Sequence, residues 1–514
     1  MADSPSTKTP DEAADAAGGD TASTAGGNTL DPVAPAGGNA VSDDTVVTRH
    51  TLTTPGGDLA YTATVGRVVL REEVIEDGTF VGVRPRAEVS LTAYTLDGAD
   101  PLTRPITFAF NGGPGSASVW LHLGLLGPRR VVSGDAGALA RPPYGLVDNP
   151  ESLLTVSDLV FVDPVSTGWS RAVEGGKPAS YHGYEGDIAS VGEVIRAWVT
   201  SHGRWMSPKL LAGESYGTIR AAALADHLQA KLGLYLNGVV LISSVLDLSS
   251  VDFENQRNDR PHALYLPTYA AIAHHHGKHE GRTLREVLDE AEAYAARDYP
   301  WALSRGDRLS ASERTEVVRT IARLAGLSET YVSQSDLRIE HLHFFAELLR
   351  DRGLVVGRID GRFTAPTDDG VAEKVESDPS IDATTGAYTA AFNHYVHTEL
   401  GYSTDLAYAV LTDTVHPWSF KDFEGRPIDV SPRLEAAMRR NPHLLVHVAY
   451  GWYDGATPHF AAEDVFAKLR LTAADHERIE HRYYEAGHMM YVHEPSRLQQ
   501  SADLADFVRR ACSP

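Results

Sequence analysis

The chain has 514 residues, with 46 Lys and Arg against 69 Asp and Glu, a formal net charge of −23. That charge repels polyphosphates and anionic membrane surfaces at long range, which argues against a nucleic-acid or membrane partner. The single cysteine, Cys512, excludes an intramolecular disulfide and a thiolate zinc cluster, and fits a reducing compartment.

From the N-terminus, residues 1–45 are mostly Ala, Gly, Ser, Thr, Asp and Pro, with almost no large apolar side chain. Such text cannot bury enough surface to offset chain entropy, so a disordered acidic tail is expected. It lacks the basic start and apolar run of a secretory signal. No later stretch reaches the ~18–20 uninterrupted apolar residues of a membrane span, and a cytoplasmic location is expected.

Residues 58–96 alternate in the manner of antiparallel strands. Short apolar runs at 106–110, 159–162, 209–212 and 239–243 are bounded by Gly, Pro, Asn or Asp, and two more follow at 444–450 and 479–484. Strands buried in a parallel sheet read this way, because helices cover both faces. Between 252 and 430 the text changes to helices and loops, with helical spacing over 283–297, 310–324 and 336–349. The expected organisation is an α/β core of residues 46–251 and 431–514, interrupted by a mainly helical cap over 252–430.

Directly after the run at 209–212 stands Gly213-Glu214-Ser215-Tyr216-Gly217, followed by helical text over 218–232. This is G-x-S-x-G between a strand and a helix, where a tight turn holds a serine hydroxyl clear of the sheet. The plain alternative is a serine in a turn. A serine needs a base to take its proton and a third group to orient that base. The required chain order, serine, acid, histidine, is met by Asp454 in the Gly/Pro-rich loop after 444–450 and by His488 in the loop after 479–484. Early in the sheet, Asn111-Gly112-Gly113-Pro114-Gly115-Ser116 follows the strand at 106–110. Such a loop can aim backbone N–H groups at a developing oxyanion, with the N–H of Tyr216 as second donor. No lysine follows in the pattern of a phosphate-cradling loop.

Of the 22 histidines, His274, His275 and His276, with His279 nearby, invite a metal reading. Consecutive helical residues point in different directions, so none is expected there. His416, His459 and His493 are read as ordinary surface or hydrogen-bonded residues. Asp163 ends a strand, as an active-site wall or a loop cap.

These pieces resemble the serine carboxypeptidase family of α/β-hydrolases, in the manner of a bacterial intracellular member. The matching text is Phe110 to Gly115, Phe161-Val162-Asp163-Pro164-Val165-Ser166-Thr167-Gly168-Trp169-Ser170, Gly213 to Gly217, Gly451 to Asp454, and Ala486-Gly487-His488-Met489. The resemblance implies a mostly parallel central sheet with helices on both faces and a helical cap insertion. It implies Ser215 as nucleophile, His488 as general base and then acid, and Asp454 as the carboxylate that orients it. Gly113 and Tyr216 would supply the oxyanion N–H groups, while Asn111, Gly112 and Glu214 would hold the terminal carboxylate of a peptide. Three positions depart from the family's usual text: Ser116 stands where secretory members have Cys, Leu125 where many have Glu, and Thr218 where a small Gly or Ser is usual.

A carboxyl beside the nucleophile is useful to an anionic terminus only when protonated. Burial and neighbouring negative charge should therefore raise the pKa of Glu214; the plain alternative is that it packs beneath the elbow. The expected function is a serine carboxypeptidase that removes C-terminal residues through an acyl-enzyme, with no cofactor or metal. An esterase or acyltransferase on the same machinery is the nearest rival, kept open by Leu125. A non-catalytic binding protein that retains the fold is the rival from another class. The expected partners are peptides with a free C-terminus, with no nucleic acid and no membrane; a homodimer stays open.

Overall fold

A computed structural model describes residues 41–513, so the expected tail lies outside the described residues up to residue 40. Its last residues depart from the expectation, because Asp44 and Thr45 open strand β1 (Asp44–Thr54). They pair with Arg67 and Gly66, and the Asp44 carboxylate meets Arg67 at 3.0 Å and the Tyr402 hydroxyl at 2.9 Å. Polar anchoring here substitutes for the apolar side chains whose absence suggested disorder.

The main sheet continues with β2 (Gly57–Glu76), β3 (Thr79–Leu96), β4 (Ile106–Phe110), β5 (Asp158–Val162), β6 (Lys209–Glu214), β7 (Gly238–Ile242), β8 (Leu445–Gly451) and β9 (Ile479–Tyr484). Its order is β1-β2-β3-β5-β4-β6-β7-β8-β9. The first three strands and their junction to β5 are antiparallel; every pairing from β5 to β9 is parallel. The carboxyl ends of β4, β6, β8 and β9 therefore lie on one edge, where loops of an open α/β sheet gather functional groups.

Both faces are covered, which is why the parallel strands read as continuous apolar runs. Successive side chains point to opposite faces. Phe108, Phe110, Val160 and Val162 pack with helix α1 (Tyr184–Ser201) and helix α2 (Tyr216–Leu232) through Ile188, Ile195 and Ile219. Ala109, Leu159 and Phe161 belong to the other face.

The insertion divides into two parts. Residues 263–349 build an apolar core of their own, around helix α3 (Leu266–His275), helix α4 (Leu284–Arg305) and helix α5 (Ala311–Ala325). Capping boxes at Thr283/Glu286 and Ser310/Glu313 open α4 and α5. Helix α4 runs past residue 297 and through Pro300, and the helix expected over 336–349 begins only at His341, because Asp336 and Leu337 take positive φ values of 50° and 66°. The later helix α6 (Pro379–Thr398) lays Tyr388, Phe392 and Tyr395 on the sheet's second face, where helix α7 (Glu494–Ala511) also packs through Leu504 and Phe507. Among the described residues, no helix is long and apolar enough to cross a membrane.

Candidate active site

Ser215 sits between β6 and α2 with φ 61° and ψ −129°, a strained conformation for a residue with a side chain. Its N–H donates to Ile242 O on β7 at 3.0 Å. The flanking glycines are required by close approach. A Cβ on Gly213 would lie 2.0 Å from Gly217 O, and one on Gly217 would lie 2.9 Å from Phe110 O. Thr218 has a job of its own: its hydroxyl donates to Ser215 O at 2.7 Å and accepts from the Val245 N–H at 3.0 Å. The elbow is thereby tied to the loop after β7.

The loops after β8 and β9 bring Asp454 and His488 together, Oδ2 to Nδ1 at 2.8 Å, both buried. Asp454 Oδ1 accepts the N–H groups of Ala456 (2.8 Å) and Thr457 (2.9 Å), and Oδ2 accepts the Thr457 hydroxyl at 2.8 Å. The acid is thus fixed by donors that leave its second oxygen aimed at the ring. Burial works against a charged His488, but the Asp454 carboxylate, its hydrogen bond and the Glu214 carboxyl outweigh it, and the imidazole pKa is raised. With Nδ1 engaged, Nε2 is the ring nitrogen left for a proton transfer. Ser215 and His488 line the same cleft, a cavity of about 270 Å³. Among the described residues the Ser215 hydroxyl makes no hydrogen bond to His488; catalytic contacts of this kind often tighten only around a substrate.

The loop after β4 forms another wall of that cleft, with Asn111, Gly112, Gly113 and Glu214 among its lining residues. Gly112 backs onto the elbow so closely that a Cβ would stand 2.4 Å from Tyr216 N. Neither the Gly113 nor the Tyr216 N–H finds an acceptor among the described residues. Glu214 is buried, and it accepts Asn111 Nδ2 at 2.9 Å and the Tyr491 hydroxyl at 2.8 Å. Asn111 is itself held, its Oδ1 accepting the Leu121 N–H at 3.1 Å and its carbonyl accepting Arg220 at 2.6 Å. Burial pushes the Glu214 carboxyl up to about 7, against the pull of His488 and of the Tyr491 and Asn111 donors, with Asp454 adding to the rise.

Several residues of the site escape sequence reasoning. Tyr491 and Thr457 carry no motif beyond their closeness in sequence to His488 and Asp454. Arg220, which steadies Asn111, forms a buried ion pair with Asp187 at 2.9 Å. The largest omission is a strap from the insertion, Gly357-Arg358-Ile359-Asp360-Gly361-Arg362. His488 N donates to Ile359 O at 2.7 Å, Gly455 N to Arg358 O at 2.9 Å, and Gly487 N to Asp360 Oδ2 at 3.2 Å. Its signal was present: a charged, glycine-bounded run inside otherwise helical text. Arg358, Ile359, Ile381, Leu411 and Asp413 from the insertion also line the cleft, as does His416, whose sequence context marks it only as an ordinary surface or hydrogen-bonded residue.

Other flagged residues lie elsewhere. His274, His276 and His279 each bond a different backbone carbonyl, those of Arg282, Gly361 and Leu324, while His275 packs against the Tyr453 ring. His459 meets Glu292 at 3.4 Å and His493 meets Ser496 at 2.8 Å. Asp163 is the loop cap rather than the wall: its Oδ1 accepts the Ser118 N–H at 2.8 Å. Leu125 is buried in the apolar core on the sheet's second face and is not among the cleft's lining residues.

The sheet order, the elbow and the loops at one edge define an α/β-hydrolase fold. Residues 90–270 match the family described as serine carboxypeptidase, so the likeness carried by the motifs is found over that segment, which includes Ser215 and precedes Asp454 and His488. The chain is also similar to serine carboxypeptidase-like 44 of Arabidopsis thaliana, 31% identical over 155 residues. That similarity spans 29% of this chain and 29% of the plant protein. Among solved structures, a proline iminopeptidase from Mycobacterium smegmatis aligns with 90% of this chain and 99% of its own at 16% identity and a TM-score of 0.35. An aryl esterase from Burkholderia cenocepacia aligns with 91% and 100% at 14% identity and a TM-score of 0.31.

Proposed function

We propose that this chain is a serine carboxypeptidase. The observation that carries the reading is the shared cleft. It is lined by Ser215 on its strained elbow, the Asp454-oriented His488, Gly113 with its unengaged N–H and the buried carboxyl of Glu214, and the unengaged N–H of Tyr216 follows Ser215 directly in the chain. In this reading Ser215 Oγ attacks the last peptide carbonyl while His488 Nε2 takes its proton. The oxyanion lies against the Gly113 and Tyr216 N–H groups. The C–N bond then breaks as His488 returns the proton to the departing amine, leaving an acyl-serine. Water attacks that ester, His488 takes its proton and passes it to Ser215, and the shortened peptide leaves. Protonated Glu214, held by Asn111 and Tyr491, donates a hydrogen bond to the substrate's terminal carboxylate, which an ionised Glu214 would repel. Gly112, beside Asn111 and Glu214 in the cleft lining, offers that carboxylate its backbone N–H.

Mass spectrometry of peptide pairs that differ only in a free or an amidated C-terminus tests the reading. The expected result is loss of single residues from the free acids, much slower on the amides. Hydrolysis of an ester panel with both peptide forms untouched would overturn the peptidase assignment in favour of an esterase.

A further inference from the structure

The strap carries two arginines with opposite fates. Arg362 is buried and neutralised, meeting Asp360 at 2.6 Å and Asp135 at 3.1 Å. Arg358 is partly buried and lines the cleft, yet among the described residues its guanidinium makes no ion pair and no hydrogen bond. A guanidinium that lines a cleft without a carboxylate partner keeps its forked N–H donors available to an anion. The backbone that carries it is held in place. The carbonyl of Arg358 accepts from Gly455, next to Asp454; Ile359 accepts from the His488 N–H and donates to Asp378 Oδ2 at 2.9 Å. The acidic groups of the cleft, Glu214 and Asp413, are both bound elsewhere or exposed, and neither pairs with Arg358.

We infer that Arg358 is a specificity-determining residue that binds a carboxylate of the departing C-terminal residue. The inference rests on the reading of this cleft as a carboxypeptidase site. His488 must deliver its proton to the leaving nitrogen, so the group it serves lies on its side of the cleft. Arg358 stands on that side: its charge reaches the imidazole and opposes its protonation. A forked guanidinium matches a carboxylate's two oxygens. Glu214, Asn111 and Gly112 take the terminal carboxylate in that reading, so the carboxylate left for Arg358 is an acidic side chain of the last residue.

The test compares kcat/KM for peptides ending in Glu, Gln and Lys, each as free acid and amide, in wild type, Arg358→Gln and Arg358→Glu. Wild type is expected to favour Glu over Gln by about 10- to 100-fold, the worth of a charge-assisted pair. Arg358→Gln should abolish that preference and Arg358→Glu should turn it toward Lys. If instead Arg358→Gln slows all free acids alike and spares the amides, Arg358 meets the terminal carboxyl and the side-chain assignment is overturned. Unchanged ratios in every pair would overturn it. Calorimetry with benzylsuccinate supplies a readout free of peptide cleavage. Binding by wild type, weakened at least about tenfold in Arg358→Gln, supports the site even if no peptide is hydrolysed, an outcome that would sink the peptidase reading alone. Equal binding by the two proteins, or none by wild type, would overturn the inference. Since the Arg358 side chain holds no partner, both variants should keep the wild-type Tm, which confirms that losses arise in the cleft.

Discussion

The Tyr491 hydroxyl lies 3.1 and 2.8 Å from the two oxygens of Glu214, the residue before Ser215. This contact joins the loop after β9 to the elbow after β6, and it gives a buried carboxyl a donor that favours the ionised form. Burial still wins and leaves the group near pH 7. On peptides, kcat/KM should therefore rise as His488 loses its proton and fall as Glu214 loses its own. Dividing the free-acid profile by the amide profile cancels the His488 limb, and the ratio should decline through about pH 7. Glu214→Gln, which keeps a donor at every pH, should flatten the ratio. A ratio independent of pH in wild type would remove this role from Glu214.

Removing the Tyr491 donor should act in a definite direction. Tyr491→Phe withdraws a hydrogen bond that lowers the Glu214 pKa, so the descending limb should move to higher pH by about one unit, as expected for a lost bond to a charged group. Activity on free-acid peptides would then extend further into the alkaline range. A shift toward lower pH would contradict the assignment.

Gly487 tests the strap. A Cβ there would stand 2.4 Å from the Asp360 side chain and 2.6 Å from its Cα, so Gly487→Ala must push Asp360 away or displace the loop that carries His488. Stopped-flow or steady-state kinetics should show kcat reduced about 10- to 100-fold, the scale of a misplaced catalytic group, with KM changed much less. An equal loss through KM alone would place the strap in substrate binding rather than in positioning the base.

The ion pair beneath the Asn111 loop is a matter of stability. Arg220→Met leaves Asp187 buried without its partner, which should cost about 3–5 kcal/mol in chemical denaturation. The Asp187 pKa is already raised by burial, with Arg220 pulling the other way, and losing Arg220 raises it further. A carboxyl whose folded pKa exceeds its unfolded value costs stability as pH rises, so the deficit should shrink below the ordinary carboxylate range. A deficit that grows with acidity would contradict this account.

Much of this was legible because the relevant chemistry is local in the chain. The apolar runs at 106–110 and 479–484 coincide with the strands themselves, since short runs between Gly, Pro, Asn and Asp leave few alternatives. The motifs around Asn111, Ser215, Asp454 and His488 each follow a strand, and parallel pairing brings those strand ends to one edge. What remained hidden depends on packing between distant segments. Helix α6 reads like the rest of the insertion, yet Tyr388, Phe392 and Tyr395 cover the sheet itself. Arg358 and Tyr491 gain meaning only from neighbours far along the chain, Gly455 in the first case and Glu214, 277 residues away, in the second. Glu214 shows the limit most clearly: its raised pKa followed from expected burial, but the tyrosine opposing that rise left no pattern to find.

The central claim is that the Ser215 hydroxyl forms the acyl-enzyme. The most direct measurement treats wild type and Ser215→Ala with a fluorophosphonate, maps the modified residue by mass spectrometry, and follows C-terminal trimming of one free-acid peptide by the same two proteins. The account predicts modification of wild type at Ser215 alone, none in the variant, and a trimming rate lower by orders of magnitude in a variant of unchanged Tm. A folded Ser215→Ala protein that trims the peptide at the wild-type rate would contradict it.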